Sequence, residues 1–257
     1  MKYKMFLIVI TLLMLGNLVF ADLNEDLNSA IHFKHIGWIN EILDRGADIN
    51  RAYGGVSALM KAFEKGDREI IKLILKRGAN VNSLHNVDMS DLMYASFKGD
   101  FEIAKELIAL GAKVNLVNSK GISALMLAIE YRRNNIADYL IKHGANINAQ
   151  AKNGYTPLIF AAIDANIDMI KILISRGANV NANIERGLTA LLISVVYEKF
   201  EMSKLLIKAG ANVKQVTTKP LYFHFTLIPA RTKLLRIAKV KRNNELIGIL
   251  VNAGAGE

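Results

Sequence analysis

The chain contains no cysteine and only three prolines. Without cysteine there are no disulfides, thiolate metal sites, iron–sulfur clusters or cysteine nucleophiles. An oxidising compartment stays open, since export does not require a disulfide. With proline scarce and glycine ordinary at 18 residues, neither a disordered nor a collagen-like chain is expected. Catalytic motifs are missing too: no GxSxG elbow, no glycine-rich phosphate loop before Lys-Ser/Thr and no HExxH. The histidines at 32, 35, 85, 143 and 224 form no compact metal signature; His32 and His35 are three apart, but no spaced carboxylate or third histidine follows. The acid pairs Glu25/Asp26 and Asp164/Asp168 are read onto helix starts, where a macrodipole role is enough. No catalytic residue, metal, cofactor or small-molecule substrate is therefore expected.

What is present is apolar and periodic. Of the 257 residues 52% are apolar, enough for a core in one or two domains or a repeat array. The net charge of +10 is unevenly placed. Residues 22–203 hold 21 Lys/Arg and 21 Asp/Glu, whereas residues 204–257 hold ten Lys/Arg against Glu245 and Glu257.

The first residues read as a targeting segment. Lys2 and Lys4 precede 16 uncharged residues, Met5 to Phe20, and then Val19-Phe20-Ala21 stands before Asp22. That order of basic, apolar and small-x-small is a secretory signal peptide. A spanning helix needs about 20 apolar residues, and this run is shorter and followed by acidic residues. Residues 1–21 are thus expected to be cleaved after Ala21, which implies a periplasmic or extracellular location and contact with a membrane only in transit.

Gly-Ala recurs at Gly46, Gly78, Gly111, Gly144, Gly177, Gly210 and Gly254, in steps of 32, 33, 33, 33, 33 and 44. Ala30, Ala62, Ala95, Ala128, Ala161, Ser194 and Ala238 each stand 16 residues before one of these glycines. A fixed period of this size marks a stacked repeat array. In residues 144–177, Gly144 stops a helix in the left-handed conformation. Asn153-Gly154 forms a hairpin-type tip. Thr156-Pro157 caps and starts a short helix, which Asp164 to Asn166 breaks. Ile167, Ile170, Leu173 and Ile174 then mark a second helix by their spacing. Helices this short are marginal alone, so each unit needs its neighbours to cover its apolar face.

Thr156-Pro157-Leu158, Ala161-Ala162 and Gly177-Ala178-Asn179-Val180-Asn181 together resemble the ankyrin repeat. So do Ser57-Ala58-Leu59, Ser90-Asp91-Leu92, Ser123-Ala124-Leu125 and Thr189-Ala190-Leu191 with their following Gly-Ala motifs. The resemblance implies an all-α ankyrin solenoid over residues 22–257. About seven helix-turn-helix units with β-hairpin loops are expected, near 23–50, 56–82, 89–115, 122–148, 155–181, 188–214 and 232–257. It also implies binding to another protein rather than catalysis. The histidine that the family carries after Thr-Pro-Leu is replaced by Met60, Met93, Met126, Ile159 and Leu192, which leaves apolar packing in its place. That methionine ladder is read as core, because packed helices sit about 8–10 Å apart, too far for three sulfurs to share one ion.

The resemblance also implies a binding surface on the first helices and hairpin tips. Counted by the period, that surface carries Glu64/Lys65, Phe97/Lys98, Glu130/Tyr131, Ile163/Asp164 and Val196/Tyr197, with Tyr155 before its cap. Large amphipathic side chains are the usual interface anchors, so Phe97, Lys98, Tyr131, Tyr155, Asp164 and Tyr197 are partner-binding candidates. The other reading leaves these rings half buried between hairpins.

The longest step holds 11 extra residues within 215–231, where Lys219-Pro220 and Pro229 bracket LYFHFTLI. Folding back over the last repeat is favoured, since an exposed strand this apolar would aggregate. The alternative is a lengthened hairpin offering Tyr222, Phe223 and Phe225 to a partner. Lys233, Arg236, Lys239, Lys241 and Arg242 form either a solvated cap or a patch for an acidic protein, an anionic membrane or nucleic acid. A turn at Arg242-Asn243-Asn244 means that these charges need not share one face, and export disfavours nucleic acid. The sequence reading is therefore an exported, monomeric protein-binding module whose protein partner it does not name. Alternatives are a secreted effector aimed at host proteins, an enzyme housed in the insertion, and an envelope spacer.

Overall fold

The computed structural model describes residues 22–85, 88–184, 187–223 and 226–256, with the side chains of Leu221, Tyr222, Phe223 and Thr226 outside that description. The expected signal peptide at 1–21 and the candidate Phe225 also lie outside the described residues. Among the described residues there are fourteen helices in seven pairs, divided between two compact units. The first unit spans 22–80 with His85 and holds α1 (Leu23–His32), α2 (Ile36–Asp44), α3 (Ala58–Glu64) and α4 (Arg68–Lys76). The second spans 81–84 and 88–256. Its pairs are α5 (Asp91–Lys98) with α6 (Phe101–Ala109), α7 (Ala124–Glu130) with α8 (Asn134–Lys142), α9 (Pro157–Ile163) with α10 (Ile167–Ser175), α11 (Ala190–Val196) with α12 (Phe200–Lys208), and α13 (Leu234–Val240) with α14 (Asn244–Asn252). Among these described residues no helix is long and apolar enough to cross a membrane.

The starts and stops are those that the residues dictate. Ser57, Ser90, Ser123, Thr156 and Thr189 each accept the backbone N–H three residues on, at 2.9–3.3 Å. This satisfies one of the orphan donors of the first turn. The first repeat, without a hydroxyl, uses Asp22, which accepts from Asn24 N at 3.0 Å. Gly144, at φ +84°, follows the end of α8 and takes the left-handed conformation that a Cβ would strain. Between the helices of a pair the same conformation is held by Arg132, Ala165, Glu198 and Arg242, all with positive φ. Asp164 needs a correction: it is the C-cap of α9 and not a helix start. Its charge is answered by an arginine of the preceding repeat rather than by a helix dipole.

Helices of seven to ten residues have little stability alone, so packing carries the fold. The landmark residues Ala30, Ala62, Ala95, Ala128, Ala161, Ser194 and Ala238 are all fully buried; a small side chain there lets neighbouring helices approach closely. At the one serine, Ser194, the hydroxyl donates to Leu191 O and meets the buried Ser203 hydroxyl at 2.7 Å, so no polar atom is stranded. Met60, Met93 and Met126 are likewise fully buried and serve as core. In the second unit the first helices pack on one another throughout, α5 on α7, α9, α11 and α13 in turn, and more closely than the second helices do. That stack therefore curves with its first helices on the inner side.

The recurring second asparagine of "GANVN" has a structural purpose that periodicity alone did not reveal. In the first unit Asn50 donates to Gly78 O and accepts from Asn80 N. In the second unit Asn82, Asn115, Asn148 and Asn181 make the same pair of bonds to the next Gly carbonyl and to the N–H two residues beyond, at 2.7–3.3 Å. Each amide thus joins one loop to the next. Lys214 occupies the position after Asn181 in the period, and there the ladder stops.

The hairpins are short. β1 (Asn183–Ile184) pairs with β2 (Leu188–Thr189), and Val117 bridges Ser123. Gly121, at φ +75°, lies so near the next hairpin that a Cβ would come within 3.0 Å of Lys152 N. The insertion is itself a hairpin, β3 (Leu221–Phe223) against β4 (Thr226–Ile228), with Leu221 opposite Ile228. Ile228 is buried at its base and Leu227 is exposed. Its backbone therefore forms a hairpin, a form that both readings of the insertion allow.

Candidate functional site

Because the hydroxyl caps fix where each first helix begins, residues at one offset from the landmark fall in rows along the inner side of the second unit. Three offsets matter. One residue before the landmark stand Tyr94, Leu127, Phe160 and Ile193; two after it stand Phe97, Glu130, Ile163 and Val196; three after it stand Lys98, Tyr131, Asp164 and Tyr197. Leu127, Ile193 and Val196 are buried. Tyr131, Ile163 and Tyr197 remain 43%, 48% and 36% exposed, a surface apolar enough to mark an interaction site when contiguous.

At one end the rings make a cluster. Phe97 of α5 meets Tyr131, the C-cap of α7, edge to face at 4.6 Å and 86°, and Tyr94 lies 6.3 Å from Phe97. The Lys98 ammonium sits 5.5 Å from the Tyr94 ring and 5.9 Å from the Phe97 ring, within cation–π range. The sequence candidates Phe97, Lys98 and Tyr131 are thus brought together. Tyr155 is placed apart: it is half-buried, and its ring lies 5.4 Å from Phe160 of its own repeat. Tyr197 caps the C-terminus of α11. Tyr222 and Phe223 are in β3, with side chains outside the description.

The rim is tied from repeat to repeat. Arg132 forms an ion pair with the Asp164 carboxylate and donates to the Asp164 carbonyl at 2.6 Å, so Asp164 is engaged within the chain. The hydrogen bond to the Asp164 carboxylate, with its charge, pushes the Arg132 pKa further up. Arg133 donates to Phe97 O at 3.3 Å, and Asn166 to Asn134 at 2.8 Å. Toward the C-terminus, Asn243 and Lys241 both bond Glu198 and hold its carboxyl below the usual range. On the face itself, burial pushes the Glu130 carboxyl up. Links of this kind leave little motion to lose on association.

Sequence reasoning missed Tyr94, Phe160 and Arg132. Tyr94 and Phe160 each stand one residue before a landmark alanine, so the same 33-residue count would have found them. Arg132 offered no such signal, because only the fold sets it beside Asp164, 32 residues away.

Family models agree with this architecture. The model described as ankyrin repeats (3 copies) matches residues 92–184 and 151–217, and that described as ankyrin repeat matches residues 54–86. No curated protein matches the sequence. Among solved structures, the fold is similar to the ankyrin repeat domain of Bcl-3, described as a unique member of the IkappaB protein family. The TM-score is 0.71 at 21% identity, over 88% of this chain and 97% of that one. At that identity the likeness concerns the fold alone.

Proposed function

Because the chain belongs to the ankyrin-repeat family, we propose that it is an exported module that binds a protein partner without catalysis, through the first-helix face of its second unit. One observation carries the reading: Tyr94, Phe97 and Tyr131 with Lys98 form an aromatic and cationic cluster, and Ile163 and Tyr197 stand exposed at the matching positions of later repeats. Aromatic rings held in fixed positions are typical centres of binding energy, and the Arg132–Asp164 and Glu198–Asn243 links hold the face in shape. Ser57, Ser90, Ser123, Thr156 and Thr189 spend their hydroxyls on helix caps, which fits a binding role better than chemistry.

The test is affinity capture with the wild-type chain and with a Tyr131→Ala/Tyr197→Ala variant, followed by titration of the captured partner. The variant loses the Phe97 edge contact, about 1 kcal/mol, and stays folded. Its affinity for the partner falls by about 30-fold or more, as for a central aromatic anchor. Undiminished capture by a folded variant, or unfolding of the variant, refutes the site. Export rests on Lys2, Lys4, the apolar run to Phe20 and the Val19-Phe20-Ala21 motif. N-terminal sequencing of the exported chain should begin at Asp22; a full-length chain that stays in carbonate-washed membranes refutes cleavage.

A further inference from the structure

The last repeat departs from its predecessors at two positions. Two residues before the landmark, Met60, Met93, Met126, Ile159 and Leu192 are all buried, whereas Arg236 in α13 is exposed. One residue after it, Phe63, Ser96, Ile129, Ala162 and Val195 are all buried, whereas Lys239 is exposed. α13 packs on α11 at one side, and the side chains at these two positions here meet solvent. A solvated helix face needs polar side chains, but polarity does not require one sign of charge. Arg231, from the end of the insertion, and Lys233 join Arg236 and Lys239 around a recess of about 390 Å³ floored by Leu235. Among the described residues no aspartate or glutamate lines that recess. Among the described residues the guanidinium groups of Arg231 and Arg236 have no acceptor, whereas nearby Lys204 and Lys241 are paired with Glu245 and Glu198 at 3.3 and 3.1 Å. The sequence reading left these charges free to lie on different faces; three of them, Lys233, Arg236 and Lys239, line one recess together with Arg231, and Lys241 pairs with Glu198.

We propose that this recess binds an acidic segment of a protein, a run of Asp or Glu side chains whose carboxylates are gripped by Arg231 and Arg236. Guanidinium groups suit this role because two parallel N–H donors match one carboxylate. The choice of an acidic peptide rests on reading the chain as a protein-binding module. It is also favoured by shape, since the cations face a recess rather than a plane suited to a bilayer. Among the described residues no aromatic ring lines the recess to stack a base, as single-stranded nucleic acid binding ordinarily requires.

The test is fluorescence anisotropy of the full chain with fluorescein-labelled hexaglutamate, and with hexaglutamine, a labelled single-stranded oligonucleotide and phosphatidylglycerol vesicles as comparisons. Hexaglutamate binds saturably and more weakly as salt is raised. Arg231→Gln/Arg236→Gln weakens it by about ten-fold or more, the loss of one or two charge-assisted contacts. Lys208→Gln/Lys214→Gln, which removes the same charge elsewhere in the basic end, leaves it within about two-fold. Equal binding of hexaglutamine, equal losses in the two charge variants, or tighter binding of the oligonucleotide or vesicles overturns the proposal. The Tyr131→Ala/Tyr197→Ala variant retains hexaglutamate binding. Failure of the aromatic face would therefore show in partner capture alone, and failure of the recess in hexaglutamate alone.

Discussion

Substituting alanine at Gly144 and at Gly121 separates two roles of glycine in this repeat. Both residues have positive φ, +84° and +75°, and an L-residue in that conformation costs about 1–2 kcal/mol. The surroundings differ. At Gly144 an added Cβ meets no heavy atom within 4 Å, whereas at Gly121 it lies 3.0 Å from Lys152 N and 3.1 Å from Ala151 Cα. These are main-chain atoms of the next hairpin and cannot rotate aside. Relief requires the hairpins to part, which strains the bond from Lys152 N to Lys120 O at 2.9 Å. Losing that bond adds about 1 kcal/mol. Gly144→Ala should therefore cost about 1–2 kcal/mol and Gly121→Ala about 2–3 kcal/mol. For a chain of this size the difference lowers Tm by about a further 2–4 °C. Thermal and urea unfolding followed by circular dichroism measures both. The two glycines lie in the same unit, so the comparison does not require the units to unfold together. Equal melting of the variants, or milder damage at Gly121, refutes the claim that hairpin backbones press on one another.

Two further outcomes are expected. Asn148→Ala removes the bonds to Gly177 O and from Asn179 N, 3.1 and 2.8 Å. Because the site is exposed and water replaces part of them, the loss is about 1 kcal/mol; a urea midpoint equal to wild type would show that the asparagine ladder contributes nothing. Burial raises the Glu130 pKa, so its ionised form is disfavoured in the folded state, and the penalty grows as pH rises through the carboxylate range and is absent below it. Glu130→Gln should accordingly raise Tm at pH 7 and leave it unchanged at pH 3, and equal shifts at both pH values would contradict the cause given.

Much of the fold was legible because its determinants are local. A hydroxyl accepts the N–H three residues ahead, and a glycine releases the chain into the left-handed region, so Thr156-Pro157 and Gly144 announce their helix ends. Tyr131 and Phe97 could be assigned to one surface by counting, since a strict period converts position into place. Tyr155 resisted the same treatment: its packing on Phe160 depends on how the hairpin leans over the helix. Asp164 read as a helix start because an acid before an asparagine suits either end of a helix. Its neighbour in space, Arg132, belongs to another repeat.

The division between chain and fold follows from range. By itself the sequence determined the repeat unit, its starts and stops, and the alternation of small and large apolar residues that forces the units to stack, all properties of bonds and contacts within about 33 residues. Only the tertiary structure decided that Asn148 bridges to the next loop and that Phe97 and Tyr131 touch. Those meetings depend on how one unit is set against another, and that is governed by packing across the stack, which no single repeat encodes.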